Sequence, residues 1–314
     1  MRVMKTWLCL PLVAVAAWGA EFRLGIVGTD TSHVPAFTRA FNDPTAPDYI
    51  AGFRVVAAYK GGSPDLESSS RRVDKFAAEV QAKWGVEIVP DIATLCSKVD
   101  GVLLESVDGR VHLAQAREVI KARRPLFIDK PLAATLEDAR ELARLAREAG
   151  VAWFSSSSLR YSDVVLAGKA PDIQGAMVWG PGPLEEHHYL DLAWYAIHPI
   201  EMLYALMGPG CEEVTRVTTE GADLVAGRWK DGRIGSVRAL RPNGGYGAVV
   251  FRPKQVYQSD PKARNGYGPL LKQIAEFFRT GVPPVPNQET LELFAFMDAA
   301  QRSKANGGRP MRLR

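Results

Sequence analysis

Residues 125–155, PLFIDKPLAATLEDARELARLAREAGVAWFS, contain a strand, a capped helix and a second strand. Pro125 to Ile128 and Val151 to Ser155 are short apolar runs that are typical of buried strands. Between them, Thr135 is a good N-cap and Gly150 a good C-terminal stop for one amphipathic helix. The apolar face of that helix consists of Leu136, Ala139, Leu142, Ala143, Ala146 and Ala149. A strand–helix–strand unit of this kind places its two strands parallel in one sheet.

The same alternation runs back to the first apolar strand, which predicts a Rossmann-like domain over residues 21–155. The further predicted strands are 22–27, 53–59, 86–89 and 102–105. The further predicted helices are 35–41, 72–84, 92–98 and 111–123, with a polar loop over 61–70. In such a domain a ligand binds beyond the carboxyl ends of the strands.

The second half of the chain, residues 156–314, has many turns and the alternation of antiparallel strands. Strands are predicted at 222–229, 234–240 and 248–251, one long helix at 191–207, and two final helices at 269–279 and 288–304 that can pack back on the first domain. The predicted fold class is therefore α/β: an N-terminal Rossmann-like parallel-sheet domain followed by an α+β domain with an open, mostly antiparallel sheet.

Residues 1–20 have the three-part pattern of a secretory signal peptide. A short basic start precedes an apolar run over 7–17, and the small residues Ala17, Gly19 and Ala20 follow. This predicts export to the periplasm or cell envelope after cleavage, with a retained N-terminal anchor as the alternative. No later apolar run approaches the ~18 residues of a spanning helix, so no integral membrane domain is expected.

The composition restricts the possible partners. The chain has 314 residues, of which 46% are hydrophobic and 24% charged, as in a globular protein of about two domains. Its formal net charge of +4, without any basic block, argues against a nucleic-acid partner. After cleavage Cys96 and Cys211 remain, and the sequence does not determine whether they pair.

The turn after the first strand is a damaged phosphate cradle. A dinucleotide fingerprint reads G-x-G-x-x-G, and here only the first glycine remains. The candidate cofactor-binding residues in this turn are Gly28, Thr29, Asp30, Thr31, Ser32 and His33. Asp30 would repel a diphosphate, so a repurposed loop is the alternative. Lys60 and Ser63, after the second strand, suit a 2′-phosphate and favour NADP slightly over NAD.

Several motifs in one order resemble the Gfo/Idh/MocA family, which includes glucose–fructose oxidoreductase and inositol dehydrogenase. They are Asp129-Lys130-Pro131, the stretch YAIHPIE over 195–201, and the tail with FRTGVPPV over 278–285 and GGRP over 307–310. The resemblance implies an NAD(P)-dependent oxidoreductase acting on a sugar or cyclitol. It also implies a second domain that carries the substrate site and, through its open sheet, forms a homo-oligomer.

The resemblance assigns roles residue by residue. Lys130 aligns with the lysine that contacts the nicotinamide ribose and the reacting hydroxyl, and His198 with the helix histidine that accepts a proton. Trp194 stands where the family often has an aspartate. Asp191, Tyr195 and His198 are spaced to share one helix face, so Tyr195 and Asp191 complete the catalytic prediction.

The remaining assignments concern the edges of the site. Ser106 and Asp129 join the cofactor-binding set, and the predicted substrate-binding residues are Arg160, Tyr161, His188 and Trp194. The cluster around His187 and His188 lacks a zinc spacing motif, so no metal is predicted.

Three functions are consistent with these residues. The first is an exported NAD(P)-dependent oxidoreductase on a sugar or cyclitol. The second is a glycosidase of the same fold that retains its NAD through transient oxidation, elimination and re-reduction. The third is a non-catalytic envelope carbohydrate-binding protein that has lost the cofactor. Bound cofactor separates the first two from the third, and cleavage of a glycoside without net redox change separates the second from the first.

Overall fold

The structure is a computed structural model that describes residues 21–314; the predicted signal peptide lies outside the described residues. Residues 21–155 form a parallel sheet in the order β3-β2-β1-β4-β5-β6. Its strands are β1 (Phe22–Val27), β2 (Phe53–Tyr59), β3 (Glu87–Val89), β4 (Gly101–Leu104), β5 (Leu126–Ile128) and β6 (Trp153–Ser155). Its helices are α1 (His33–Asn42), α2 (Glu67–Ser70), α3 (Val73–Trp84), α4 (Ile92–Lys98), α5 (Gly109–Lys121) and α6 (Leu136–Ala149).

The local signals for α6 act as the sequence predicts. The Thr135 hydroxyl accepts a hydrogen bond from the Asp138 amide, and Gly150 ends the helix at φ 66°. The apolar face packs on the sheet and the charged face is turned to solvent. Burying this face is what fixes the helix, because an isolated helix of this length is marginal in water.

The second part of the chain forms a seven-stranded sheet in the order β12-β11-β7-β10-β9-β8-β13. The strands are β7 (Gly175–Pro181), β8 (Cys211–Thr218), β9 (Ala222–Trp229), β10 (Ile234–Leu240), β11 (Gly247–Arg252), β12 (Gln255–Gln258) and β13 (Met311–Arg312). A 3-10 turn (Ser158–Tyr161) and the helices α7 (Asp163–Leu166), α8 (Asp191–Trp194), α9 (Ile197–Met207), α10 (Gly268–Thr280) and α11 (Asn287–Ala305) complete it. Among its pairs only β7 with β10 is parallel in the part of the chain described. The predicted fold class is confirmed.

Two expectations about elements are wrong. The helix predicted over 191–207 is two helices, because the backbone leaves the helical region at Tyr195 (φ −135°). The loop predicted over 61–70 contains the short helix α2. Both differences concern segments that supply side chains to the pocket described below, Tyr195 at the helix break and Ser68 in α2.

Helices cover both faces of the first sheet. One face packs against α1 and against α10, whose Leu270, Ile274 and Phe277 join the core formed by Phe37 and Phe127. Helix α11 packs on β8 of the second sheet and also contacts α6 of the first domain, so it joins the two halves of the chain. Both cysteines of the described residues are free and buried, and burial raises the pKa of each thiol.

Sheet register aligns the strand ends that build the site. Val27 pairs with Tyr59 on one side and with Leu104 on the other, and Leu104 pairs with Ile128. The residues after β1, β2, β4 and β5 therefore meet at one edge of the sheet, below β7 and α9 of the second half.

Candidate functional site

A pocket of about 270 Å³ lies where the carboxyl ends of β1, β4 and β5 face α9 and the start of α10. We refer to it as the Lys130 pocket. It is lined by Thr31, Ser32, His33, Ser68, Arg72, Val107, Lys130, Ser158, Leu159, Trp194, Tyr195, His198, Tyr246, Asn265 and Tyr267. The position agrees with the expectation that ligands bind beyond the carboxyl ends of parallel strands.

Lys130 follows β5 directly and extends into this pocket. Its Nζ lies 5.6 Å from the centre of the Tyr195 ring, a cation–π distance. The residue is only 7% exposed, so its ammonium is held inside the pocket rather than in bulk solvent. The structure thus brings Lys130 and Tyr195 together, as the sequence predicts.

His198 lies in the first turn of α9 and faces the same pocket. Its Nδ1 is 2.7 Å from the Ser157 hydroxyl, whose oxygen also accepts the Leu159 amide. Burial, and then the neighbouring Lys130 charge, hold the pKa of His198 well below its usual value. The ring is therefore neutral at pH 7 and able to accept a proton.

His33, at the start of α1, forms a buried pair with Asp129. The His33 Nδ1 is 2.6 Å from Asp129 Oδ2. The ring stacks on Phe37 and meets the edge of Tyr267, which fixes its plane. Burial raises the pKa of Asp129, but the charge and hydrogen bond of His33 outweigh it and bring that pKa to about 2.

Glu105, directly after β4, is a functional candidate that sequence reasoning missed. It is fully buried, and neither carboxyl oxygen has a hydrogen-bond partner. Burial, followed by the charges of Asp129 and Asp30, raises the pKa of Glu105 well above its usual value. Burial therefore favours the neutral form of Glu105. Its position after an apolar strand was the available signal, since such strand ends carry ligand-facing residues.

The polar groups of the turn 28–33 are hydrogen-bonded to other segments of the chain. Asp30 Oδ2 accepts from the Ser69 hydroxyl (2.6 Å) and Oδ1 from the Val107 amide (2.9 Å). Thr29 donates to the Val73 carbonyl (2.8 Å), and Gly28, Thr29 and Asp30 are all buried. Burial raises the pKa of Asp30 despite these hydrogen bonds.

The two ends of the site differ in how well their residues fit a nicotinamide dinucleotide. Around Lys130 the residues fit the nicotinamide ribose, because an ammonium and a neutral imidazole share an accessible pocket. At the turn, Gly28 has φ 91° and an added Cβ would lie 2.3 Å from Ser106 Oγ, so the glycine of the cradle is required by packing. The Asp30 carboxylate, however, stands where the fingerprint has its second glycine and accepts from the Ser69 hydroxyl and the Val107 amide. As folded, this end of the site therefore presents a buried carboxylate to a diphosphate.

Asp191 is outside the pocket, and the shared helix face predicted for it is wrong. Because the helix breaks at Tyr195, Asp191 turns away and pairs with Arg216 (2.7 and 3.1 Å) and Lys304 (2.7 Å). Arg216 also pairs with Asp223 (2.8 Å) and is fully buried. The structure places Asp191 in a buried ion-pair network of the second half.

Three of the predicted substrate residues lie outside the pocket, and two of them pair elsewhere. Arg160 forms ion pairs of 2.6 Å with Glu201 and with Glu289. His188 is buried, with Nε2 3.1 Å from the Asp108 carboxylate. None of Arg160, its neighbour Tyr161, or His188 lines the Lys130 pocket. Trp194, the fourth, does line it.

Two predicted cofactor residues have partners of their own. Lys60 Nζ is 2.9 Å from Asp74, and both side chains are largely exposed. Ser106 is buried and donates to Gln115 (2.8 Å). Because its pair with Asp74 is exposed to solvent, Lys60 can exchange this partner for a phosphate. Ser106, in contrast, is held in the packed interior by Gln115.

The pocket contains further residues that the sequence did not single out as site residues. Ser68 and Arg72 reach it from α2 and the residue before α3, and Asn265 and Tyr267 reach it from the start of α10. Only the tertiary fold brings these segments to the strand ends. Tyr246 also lines the pocket, beside His198.

Residues 21–314 contain neither a candidate metal cluster nor a candidate membrane span. No group of three or more His, Cys, Asp or Glu there is placed to hold a metal ion. No helix in the same span is both long enough and apolar enough to cross a membrane.

Comparison with protein families identifies the first domain. Residues 22–156 match the family GFO_IDH_MocA, described as an oxidoreductase family with an NAD-binding Rossmann fold. Among curated proteins, the 1,5-anhydro-D-fructose reductase of Ensifer adhaerens is 44% identical over 62 residues. That alignment spans 20% of this chain and 18% of the reductase.

Solved structures share the whole architecture. A probable dehydrogenase from Thermotoga maritima is 20% identical with a TM-score of 0.71, over 93% of this chain and 99% of that one. The myo-inositol dehydrogenase from Lactobacillus casei, solved with NAD(H) and myo-inositol, is 16% identical with a TM-score of 0.70, over 94% and 97%. At these identities the likeness establishes the two-part fold.

Proposed function

Because residues 22–156 match the Gfo/Idh/MocA family of NAD-binding oxidoreductases, we propose that this chain belongs to it and oxidises or reduces one carbon of a sugar or cyclitol. The observation that carries the proposal is the meeting of Lys130 and the neutral His198 in one pocket at the strand ends. When bound, the nicotinamide dinucleotide supplies the acceptor or donor of the hydride.

Lys130 binds and orients the oxygen that reacts. Its ammonium can donate to a substrate hydroxyl or carbonyl oxygen in the pocket. A positive charge there stabilises the negative charge that develops on this oxygen. The contact with the Tyr195 ring limits where the ammonium can go, so the oxygen is held at a defined place.

His198 exchanges the proton of the same oxygen. Since burial and Lys130 keep its pKa low, the imidazole is unprotonated at pH 7 and can take the hydroxyl proton. The Ser157 hydroxyl on Nδ1 holds the plane of the ring. In the reducing direction the proton returns to the same oxygen.

The walls of the pocket suit a polyhydroxylated ring. Trp194, Tyr195, Tyr246 and Tyr267 offer aromatic faces, against which the C–H groups of a sugar or cyclitol can pack. Polar groups of Ser32 and Asn265 can bond its hydroxyls. The named activities of the Ensifer adhaerens reductase and the Lactobacillus casei dehydrogenase agree with this substrate class.

We infer a slight preference for NADP over NAD from Lys60. Its ammonium lies after β2, where the adenosine ribose binds in Rossmann domains, and a 2′-phosphate could replace Asp74 as its partner. Titration of both cofactors against the wild type and Lys60→Ala tests this. We expect Lys60→Ala to weaken NADP alone.

The open face of the second sheet supports a homo-oligomer. This face exposes the apolar side chains Met177, Val217, Leu224, Ile234, Phe251 and Val256. Large apolar side chains exposed together on one protein surface are typical of an interface. We also retain export as a proposal from residues 1–20, which N-terminal sequencing of the mature protein would test.

The first experiment is cofactor content. The purified protein is denatured by heat, released nucleotides are identified by mass spectrometry, and NAD and NADP are then titrated by calorimetry. Bound cofactor, followed by turnover on a panel of sugars and cyclitols, is the expected result. Lys130→Met is expected to abolish turnover, and the exposed Lys121→Met, on the last turn of α5, to leave it unchanged. Absence of both retained and added cofactor would overturn the proposal.

A further inference from the structure

We propose that His33, oriented by Asp129, is a second acid–base group of the Lys130 pocket and takes or returns a proton of the substrate hydroxyls through Nε2. The proposal rests on the proposed function for the identity of the substrate. The geometry of the His33–Asp129 pair is independent of the proposed function, because it is set by α1 and by the residue after β5.

The pair has a defined polarity. Asp129 is ionised at neutral pH, since its pKa is about 2, and an ionised carboxylate only accepts hydrogen bonds. His33 Nδ1, 2.6 Å away, must therefore carry a hydrogen and donate it. Whenever the ring is unprotonated, its lone pair is therefore on Nε2. This is the arrangement in which a carboxylate orients an imidazole for proton transfer.

The ring of His33 reaches the substrate space. His33 lines the Lys130 pocket, and 10% of its side-chain surface is exposed although Nδ1 is bonded to Asp129. Stacking on Phe37 (5.1 Å) and the edge contact with Tyr267 (4.8 Å) prevent the ring from rotating away. A ring that served only to join α1 to β5 would not need an accessible nitrogen.

The pocket thus contains two imidazoles in different electrostatic surroundings. His198 is kept neutral by burial and by Lys130, so it is a poor place for a proton to remain. His33 becomes an imidazolium beside the Asp129 carboxylate, where the charge has a counter-ion. The proton leaves the substrate O–H bond and forms the N–H bond at Nε2. The charged and titratable groups around the pair are Asp129, Asp30, Glu105, Lys130, Arg72, His198, Tyr195 and Tyr267.

The first test reads the tautomer directly and needs no substrate. The chain has five histidines, so ¹⁵N-histidine labelling with single His→Gln variants assigns every ring. We expect His33 to show a protonated Nδ1 and an unprotonated Nε2 at alkaline pH, and Asp129→Asn to lose this preference. A His33 ring with its hydrogen on Nε2 in the wild type would overturn the proposal.

The second test uses turnover. His33→Gln is expected to lower kcat by about 10²–10⁴-fold with little change in KM, and to remove one limb of the pH profile of kcat. His187→Gln is the matched control, because His187 Nδ1 is also 2.6 Å from a carboxylate, that of Glu185, but outside the pocket. An unchanged pH profile in His33→Gln would overturn the acid–base role.

Calorimetry separates the two proposals. If the wild type binds no cofactor, the proposed function fails, and the acid–base role of His33 in a redox reaction fails with it. The tautomer measurement then still reports whether Asp129 orients His33. If cofactor binds and turnover occurs while His33→Gln keeps a normal kcat and pH profile, only the inference fails.

Discussion

Replacing Asp30 by glycine should open the turn 28–33 to a dinucleotide. The change restores the second glycine of the fingerprint and removes a carboxylate from the place where the backbone would approach a diphosphate. It also removes the acceptor of the Ser69 hydroxyl and the Val107 amide. Both donors then become available to the phosphates.

The magnitude follows from those two hydrogen bonds. A hydrogen bond to a charged group contributes about 1.5–3 kcal/mol. Because burial raises the pKa of Asp30, its charge is poorly stabilised, and the lower figure applies to each bond. Removing about 3 kcal/mol of competing interactions should tighten NAD binding by about 100-fold. The same loss should lower the free energy of unfolding, so affinity and stability change in opposite directions.

The assay is calorimetric titration of NAD, with thermal unfolding of the free proteins alongside. Ser69→Ala removes one donor and leaves the Asp30 carboxylate in the turn, so NAD affinity should not rise in this variant. Asp100→Asn is the control, since Asp100 pairs with Arg23 at the opposite end of the sheet. Equal NAD affinity of the wild type and Asp30→Gly would refute the idea that Asp30 occupies the cradle.

Three further predictions concern charge and association. Glu105→Gln should raise the free energy of unfolding at pH 7 by on the order of 1 kcal/mol. Because the pKa of Glu105 is raised in the folded state, the wild type loses stability as pH rises above 4.5. Unfolding measured across pH 4–8 should show that this slope is flatter in the variant. Asp191→Ala should lower the free energy of unfolding by about 3–5 kcal/mol, because it removes one carboxylate partner of the buried Arg216. Because Asp191 lies outside the pocket, kcat should stay within a factor of about two of the wild type. A large loss of kcat in the folded variant would show that Asp191 takes part in catalysis. Leu224→Glu should reduce the oligomer to monomers in light scattering, and an unchanged mass would exclude this sheet face as the interface.

The ends of individual elements were largely predictable from the sequence. The helix over 92–98 and the strands over 222–229 and 234–240 have the predicted bounds, and Thr135 and Gly150 cap α6 as expected. These features depend on apolar periodicity and on residues a few positions apart. Such information is present in a short window of sequence.

The position of Lys130 was also predictable, for a related reason. An apolar strand followed by a polar residue and a capped helix places that residue at the carboxyl edge of a parallel sheet. His198 was found by resemblance. The structure places both side chains in one pocket, as that resemblance implies.

The state of each site residue was decided by tertiary contacts. Asp30 is closed off by Ser69, 39 residues later, and by Val107, 77 residues later. Asp191 is taken out of the site by Arg216, which no helical spacing could reveal. In each case the partner comes from another strand or loop.

Local periodicity and the geometry of parallel strands were enough to predict which elements form, where a ligand would lie and which lysine faces it. Which polar side chains remain free to act depends instead on contacts made in the folded chain. Burial removes water from a side chain, and a buried charge must then find a partner or become neutral. The pairing of His33 with Asp129 across 96 residues, and the unpartnered Glu105 beside it, are outcomes of that requirement.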